Sequence, residues 1–150
     1  MQMRFVDIGI TAAGTLLVWS GVCLGQTSQK SDCLSYEPAV VKITGILIRK
    51  TFPGPPNYES IQRGDRAETS WFLDLPATVC VNEDRTKPGL NPGQRDVHEI
   101  QLVLQPEQYS QHKALVGGRV VATGTLFGEH TGHHHTPVLL TVRTLEKESK

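Results

Sequence analysis

Four histidines lie within a six-residue stretch of the segment His130-Thr-Gly-His133-His134-His135-Thr-Pro137. Imidazole titrates near neutral pH and ligates transition metals, so this cluster indicates a metal site or a pH-sensitive site. In an extended segment side chains alternate, so His133 and His135 point one way and His134 points the other. We therefore predict that His133 and His135 share one zinc or copper ion, with His130 reaching back across the turn as a third ligand.

The alternative for these histidines is a structural loop, in which the imidazoles hydrogen-bond to backbone carbonyls around a turn at Gly132. No cysteine or glutamate lies at a recognised ligand spacing, which favours that alternative. Apolar runs at Val120–Phe127 and Val138–Leu145 flank the cluster, so the histidines occupy a loop between two strands.

A second segment, residues 51–67, combines aromatic and charged residues with three prolines that stiffen the backbone. Its candidate ligand-binding residues are Phe52, Tyr58, Arg63 and Asp65, and His134 is the candidate from the histidine loop. Long stiffened loops are often functional. The alternative is that the segment seals the end of the domain, with its aromatic rings packed into the core.

The elements that must position these loops are mainly strands. Alternating or continuous apolar patterns predict strands at 40–48, 71–75, 97–104, 119–127 and 137–145, with a further short strand at 79–81 inside a long connection (76–96). Pro106 begins and Gly117-Gly118 ends one short helix. Gly45 and Gly124 lie inside strands, where glycine marks a bend.

Three strands, a helix and two strands predict an all-β domain with one short helix, a five-stranded Greek-key barrel like the oligonucleotide/oligosaccharide-binding fold. A generic antiparallel sandwich is the alternative.

The start of the chain predicts export. Residues 1–25 have a basic start at Arg4, an apolar stretch and small residues before Gln26, the pattern of a cleaved signal peptide. An uncleaved membrane anchor is the alternative, although the apolar stretch of about 17 residues is short for a span. We expect a flexible leader over 26–37, the barrel over 38–146 and a charged tail over 147–150.

Cysteine usage and charge narrow the class of protein. Cleavage leaves Cys33 and Cys80, which predicts one disulfide in an exported chain. Such a bond closes a loop of about 48 residues and contributes about 4 kcal/mol in the chain-entropy model. Basic and acidic residues balance at 15 each, unlike the strongly basic surface that nucleic-acid binding requires.

Three stretches resemble an uncharacterised family of small exported bacterial proteins, classed as a domain of unknown function. They are Ser35-Tyr-Glu-Pro-Ala-Val-Val41, Thr51-Phe-Pro-Gly-Pro-Pro-Asn-Tyr-Glu-Ser-Ile61 and Thr131-Gly-His-His-His-Thr-Pro-Val-Leu-Leu140. The resemblance covers about residues 33–145 and implies a periplasmic or secreted location and a barrel-like domain. It implies no catalytic or binding residues.

We expect a non-enzymatic binding module. No nucleophile-elbow pattern surrounds Ser60, and a solvated loop explains the acidic residues near Asp65. The partner would be a protein, peptide or glycan of the bacterial envelope or exterior, bound at the rim formed by residues 51–67 and 128–137, with no membrane span left after cleavage. Metal binding by the histidine loop is the competing hypothesis.

Overall fold

Five strands make up most of the computed structural model, which describes residues 33–149. The strands are β1 (Val40–Pro53), β2 (Ala67–Val81), β3 (Gln94–Val103), β4 (Arg119–Gly128) and β5 (Val138–Lys147). The helix α1 (Pro106–Gln111) and a 3-10 turn (Lys113–Leu115) connect β3 to β4, and a second 3-10 turn (Ile61–Arg63) lies between β1 and β2. The prediction of a mostly β domain with one short helix is therefore confirmed.

The strands are longer than their apolar patterns indicate. β2 continues through Pro76 to Val81, and β3 begins at Gln94, so the predicted connection over 76–96 is wrong and the real one is 82–93. The predicted short strand at 79–81 is the end of β2. The helix is shorter than predicted, because the chain tightens into a 3-10 turn after Gln111.

The strands close into a barrel in the order β1-β2-β3-β5-β4. Closure depends on β1, which pairs with β4 over Val40–Ile46 and with β2 over Ile46–Pro53. Gly45 lies at this change of partner, where an added Cβ would lie 2.5 Å from the carbonyl oxygen of Asp74. Gly124 lies at a register shift against β5, where a Cβ would overlap the carbonyl of Thr141. Both glycines are therefore bend points, as predicted.

The barrel has a buried layer on each side of its β2-β3-β5 wall. The interior cluster includes Leu47, Leu73, Ile100, Leu126 and Leu140. Phe72, Gln101 and Leu139 are paired neighbours in one row across these three strands, and all three are buried although they lie outside that interior cluster. Other residues of the protein must therefore shield this row, on the outer face of the wall, from solvent.

The segment before β1 is part of the domain. A disulfide joins Cys33 to Cys80, which confirms the predicted pairing. Leu34 forms a bridge with Val81, and the buried Tyr36 donates a hydrogen bond from its hydroxyl to the carbonyl of Pro92 (2.8 Å). The predicted flexible leader is therefore wrong for residues 33–37, because backbone and side-chain contacts fix them to the barrel.

The predicted signal peptide (1–25) and the remainder of the leader (26–32) lie outside the described residues. Within residues 33–149, no helix combines the length and the apolar character needed to cross a membrane.

Candidate functional site

Asp65 organises the loop between β1 and β2. Its carboxylate accepts hydrogen bonds from the backbone N–H groups of Asn57 (2.9 Å), Glu59 (2.8 Å) and Ser60 (2.7 Å), and from the Asn57 side chain (3.2 Å). Hydrogen bonds from the Ser60 and Asn57 backbones lower the pKa of Asp65, because they favour the charged form. The carboxylate is buried and both of its oxygens accept hydrogen bonds, so the structure gives Asp65 a role in shaping the loop, and its predicted contact with a ligand stays a prediction.

Gln101 on β3 holds the histidine loop against the outer face of the barrel. Its side-chain amide donates to the carbonyl of His133 (2.9 Å) and accepts from the backbone N–H of His135 (2.7 Å). Its own backbone N–H donates to the hydroxyl of Thr136 (3.0 Å). The alternating pattern of β3 placed Gln101 among outward polar residues, and nothing in the sequence marked it as the anchor of a loop.

His133 joins the two loops. Its Nδ1 lies 2.8 Å from a carboxylate oxygen of Glu68, at the start of β2. Its Nε2 lies 3.2 Å from the hydroxyl of Tyr58, and the two rings meet edge to face with centroids 5.4 Å apart. Segments some seventy positions apart in the chain therefore come into direct contact, as the rim prediction required.

His135 covers the outer row of the barrel wall together with Phe52. The two rings stack with centroids 3.7 Å apart at an angle of 9°. The ring of Phe52 also packs against that of Phe72, with the two centroids 5.8 Å apart. Burial lowers the pKa of His135, and its Nε2 is buried and has no hydrogen-bond partner among residues 33–149. Phe52 is half-buried and packs against His135 and Phe72, and its predicted role in ligand binding stays a prediction.

His130 and His134 form a separate pair beside β4. The backbone N–H of His130 donates to Nδ1 of His134 (3.0 Å), and the rings meet edge to face with centroids 4.7 Å apart. Nδ1 of His130 lies 3.0 Å from the carbonyl of Gly128, and Phe127 packs against both rings. Burial, and then the charges of His130 and His133, lower the pKa of His134.

The predicted metal set of His130, His133 and His135 is not brought together. His133 and His135 turn towards β1 and β2 while His134 turns away, as alternation predicts, but a turn at 131–134 leaves His130 beside His134. In residues 33–149 no group of three or more His, Cys, Asp or Glu side chains has an arrangement that could hold a metal ion. The nitrogens of His133 instead lie against Glu68 and Tyr58, those of His130 and His134 hydrogen-bond near or within the loop, and His135 stacks on Phe52.

The exposed side chains of the two loops are apolar, basic and acidic, and the acidic ones include Glu59 and Glu129. Tyr58 is 39% exposed and Ile61 is 40% exposed. Arg63 is exposed and pairs with Glu59 one helical turn earlier (3.1 Å). Together with the exposed His133 and the half-buried His134, these residues form what we call the two-loop surface: Tyr58, Ile61, Arg63, His133 and His134. Of the predicted ligand-binding residues, Tyr58, Arg63 and His134 belong to it.

The same loops contain hydroxyl, imidazole and carboxylate groups, but not in a serine nucleophile set. The hydroxyl of Ser60 donates to the side chain of Gln62 (3.0 Å), and Asp65 binds the Ser60 backbone rather than a histidine. The row formed by Glu68, His133 and Tyr58 joins a strand to two loops. Its hydrogen bonds orient the His133 ring and connect the loops.

Comparison with known protein families gives a match to one segment of the chain. Residues 99–146 match the family described as Domain of unknown function (DUF4431). The resemblance to a domain-of-unknown-function family is thereby confirmed over this segment. The segment runs from the second half of β3 through α1 and β4 to β5, so it includes Gln101 and the whole histidine loop. A search of curated proteins finds no match to the chain.

Proposed function

We propose that this protein is an exported, non-enzymatic binding module that recognises a partner through the two-loop surface. Its ligand is a protein, peptide or glycan, and the composition of the surface favours a protein. Tyrosine and arginine are enriched at the energetically dominant positions of protein interfaces. An exposed isoleucine between them adds apolar area that a partner would bury.

The observation that carries this proposal is the constrained backbone of the exposed Tyr58. Its backbone has a positive φ of 59°, which a bulky residue adopts only where its surroundings impose it. The four hydrogen bonds to Asp65 hold the adjacent residues, and His133 contacts the ring from the other loop. A preorganised aromatic side chain loses little conformational entropy on binding, which favours affinity.

We infer that the barrel is of the oligonucleotide/oligosaccharide-binding type. The single helix between β3 and β4 and the contact between the first and last loops support this assignment. In that fold, ligands take the groove that these loops flank. Here Phe52 and His135 cover the outer row of β2 and β3, and Gln101 within that row binds the backbone of the histidine loop. Recognition would therefore take place on the outside of the loops rather than in the groove.

We further propose a periplasmic or secreted location in a bacterium. The disulfide supports it, because such bonds persist in oxidising compartments. Expression of the full chain in a bacterium with mass spectrometry of the envelope and medium fractions tests this. The expected product begins at Gln26 and lacks two hydrogens for the disulfide. An uncleaved chain in the cytoplasm with free thiols would contradict the proposal.

Binding is tested by capture from envelope extract on immobilised mature protein. We expect one or more partners to be retained by the wild-type protein and lost from the Tyr58→Ala/His134→Ala double variant. Arg85→Ala is the matched control, since it removes an exposed side chain from the 82–93 connection. A partner profile that is the same for all three proteins would contradict this use of the two-loop surface.

A further inference from the structure

A groove of about 470 Å³ lies on the opposite side of β1 and β2 from the histidine loop. Its lining includes Leu47, Arg49, Thr51, Thr69, Val116 and Gly117. The odd-numbered β1 residues before this point face the barrel interior, as the buried Val41, Ile43 and Leu47 show. Arg49 and Thr51 continue that face but are exposed. The β1-β2 pair therefore extends past the barrel, and the groove lies under the extension.

The edge of β1 is unpaired along this groove. Leu47 exchanges hydrogen bonds with Gly117 (2.7 Å) and Gly118 (3.0 Å), on the side away from β2. Strand geometry then directs the N–H and C=O groups of Arg49 and Thr51 to that same side. The pairing of β1 with β4 ends at Ile46, and the chain turns away from the edge at Val116. In residues 33–149, no strand pairs with this side of Arg49 and Thr51.

Charge indicates what this edge would accept. The exposed Arg49 takes part in none of the ion pairs formed within residues 33–149, whereas Lys50 on the other face pairs with Glu99. An arginine beside unpaired backbone groups matches an incoming strand that carries a carboxylate. The hydroxyls of Thr51 and Thr69, 3.0 Å apart, add polar partners. The half-buried Val116 supplies an apolar wall.

We propose that an extended segment of another protein, with an acidic side chain, binds here as an added strand on the edge of β1. Its backbone pairs with Arg49 and Thr51, and its carboxylate binds the guanidinium of Arg49. A second copy of this chain is a poor occupant, because edge-to-edge pairing would bring two Arg49 guanidinium groups to the same edge. This site is separate from the two-loop surface and does not depend on the proposed function.

Calorimetry with blocked hexapeptides of alternating valine and glutamate tests the proposal on the mature protein. We expect saturable one-to-one binding to the wild-type protein, with loss of binding when alternate peptide amides are N-methylated. Arg49→Ala should weaken binding about tenfold, since it removes one charge-assisted interaction. Thr51→Pro should abolish it, because proline removes an edge donor and is tolerated at a strand edge. The Tyr58→Ala/His134→Ala variant should bind the peptide unchanged.

Three results would overturn the proposal. The first is no binding of the glutamate peptide at millimolar concentration. The second is equal binding of a valine-lysine peptide or of the N-methylated peptide, since neither the charge nor the edge would then matter. The third is a dimer in sedimentation whose formation protects the amides of Arg49 and Thr51 from hydrogen exchange, because the edge would then be a contact between copies of this chain. The N-methylated peptide tests the edge on wild-type protein, so the conclusion does not require the Thr51 variant to fold.

Discussion

The loop at 54–66 and the histidine loop at 129–137 meet at one surface, but different interactions hold them. The first is fixed by its own residues: Asp65 binds three backbone N–H groups, and Gly54 and Arg66 close its base. The second has hydrogen bonds of its own, such as that from His134 to Thr131, but it is also attached to other elements through Gln101 of β3 and Phe52 of β1. The first loop can therefore keep its shape alone, whereas the second depends on the wall beneath it.

The largest local effect should follow from Asp65→Ala, which removes the acceptor of four hydrogen bonds. Hydrogen exchange at the amides of Asn57, Glu59 and Ser60 should accelerate about 100-fold, because these donors lose their partner. Asp84→Ala is the control, since Asp84 has a similar role in the 82–93 connection. Equal acceleration at the amide of His135 would contradict the view that the first loop is fixed locally.

Gln101→Ala should release the histidine loop. The variant loses two side-chain hydrogen bonds, and the N–H of His135 loses its acceptor, so the free energy of unfolding should fall by about 2 kcal/mol. Chemical denaturation measures this, with the exposed Gln111→Ala as the control. The amides of Asn57, Glu59 and Ser60 should keep their protection. A change within about 0.5 kcal/mol would mean that Gln101 does not anchor the loop.

Acid should weaken the histidine loop and not the loop at 54–66. Burial lowers the pKa of both His134 and His135, so the unfolded chain takes up protons at a higher pH than the folded one. The free energy of unfolding should therefore decrease as the pH falls from about 6.5 through the lowered pKa values, and level off below them. Protonation of Nδ1 of His134 would also remove the acceptor for the His130 N–H.

Denaturation at several pH values between 7.5 and 5 measures this loss of stability. The groups that face the two rings are Glu68, Glu129, His130 and His133. His135→Phe keeps a ring to stack on Phe52 without a titrating group, so the loss on acidification should be smaller. The exposed His98→Asn is the control and should behave as the wild-type protein. An identical pH profile for His135→Phe would contradict the assignment.

The comparison of the two loops also explains what the sequence could predict. Period-two patterns located the five strands, glycines located both bends, and cysteine pairing was correct. The strands and bends follow from local backbone geometry. The disulfide follows because only Cys33 and Cys80 remain after the predicted signal peptide. The meeting of the two loops was predicted from the barrel topology, and contacts such as that between Tyr58 and His133 realise it.

The missed features depend on non-local contacts. Alternation along β3 puts Gln101 on the face opposite Ile100 and Leu102, but it cannot show that a distant loop covers that face. Asp65 was interpreted as a ligand-binding residue because nothing in the chain indicates that it folds back on the Asn57-Ser60 amides. The position of this acidic residue after a proline-rich turn is the sequence signal from which its role as an acceptor for loop amides could have been predicted.

The smallest effect should come from zinc. Calorimetric titration of zinc into the mature protein should give the same weak heats for the wild-type protein and for a His130→Ala/His133→Ala/His135→Ala variant. Joint ligation would require His130 to leave its contacts with Gly128 and Phe127, and His133 to give up Tyr58. It would also require His135 to leave its stack on Phe52. One-to-one zinc binding by the wild-type protein that is lost in the triple variant would show that the histidine loop rearranges around a metal. The two loops would then differ in function as well as in the interactions that hold them.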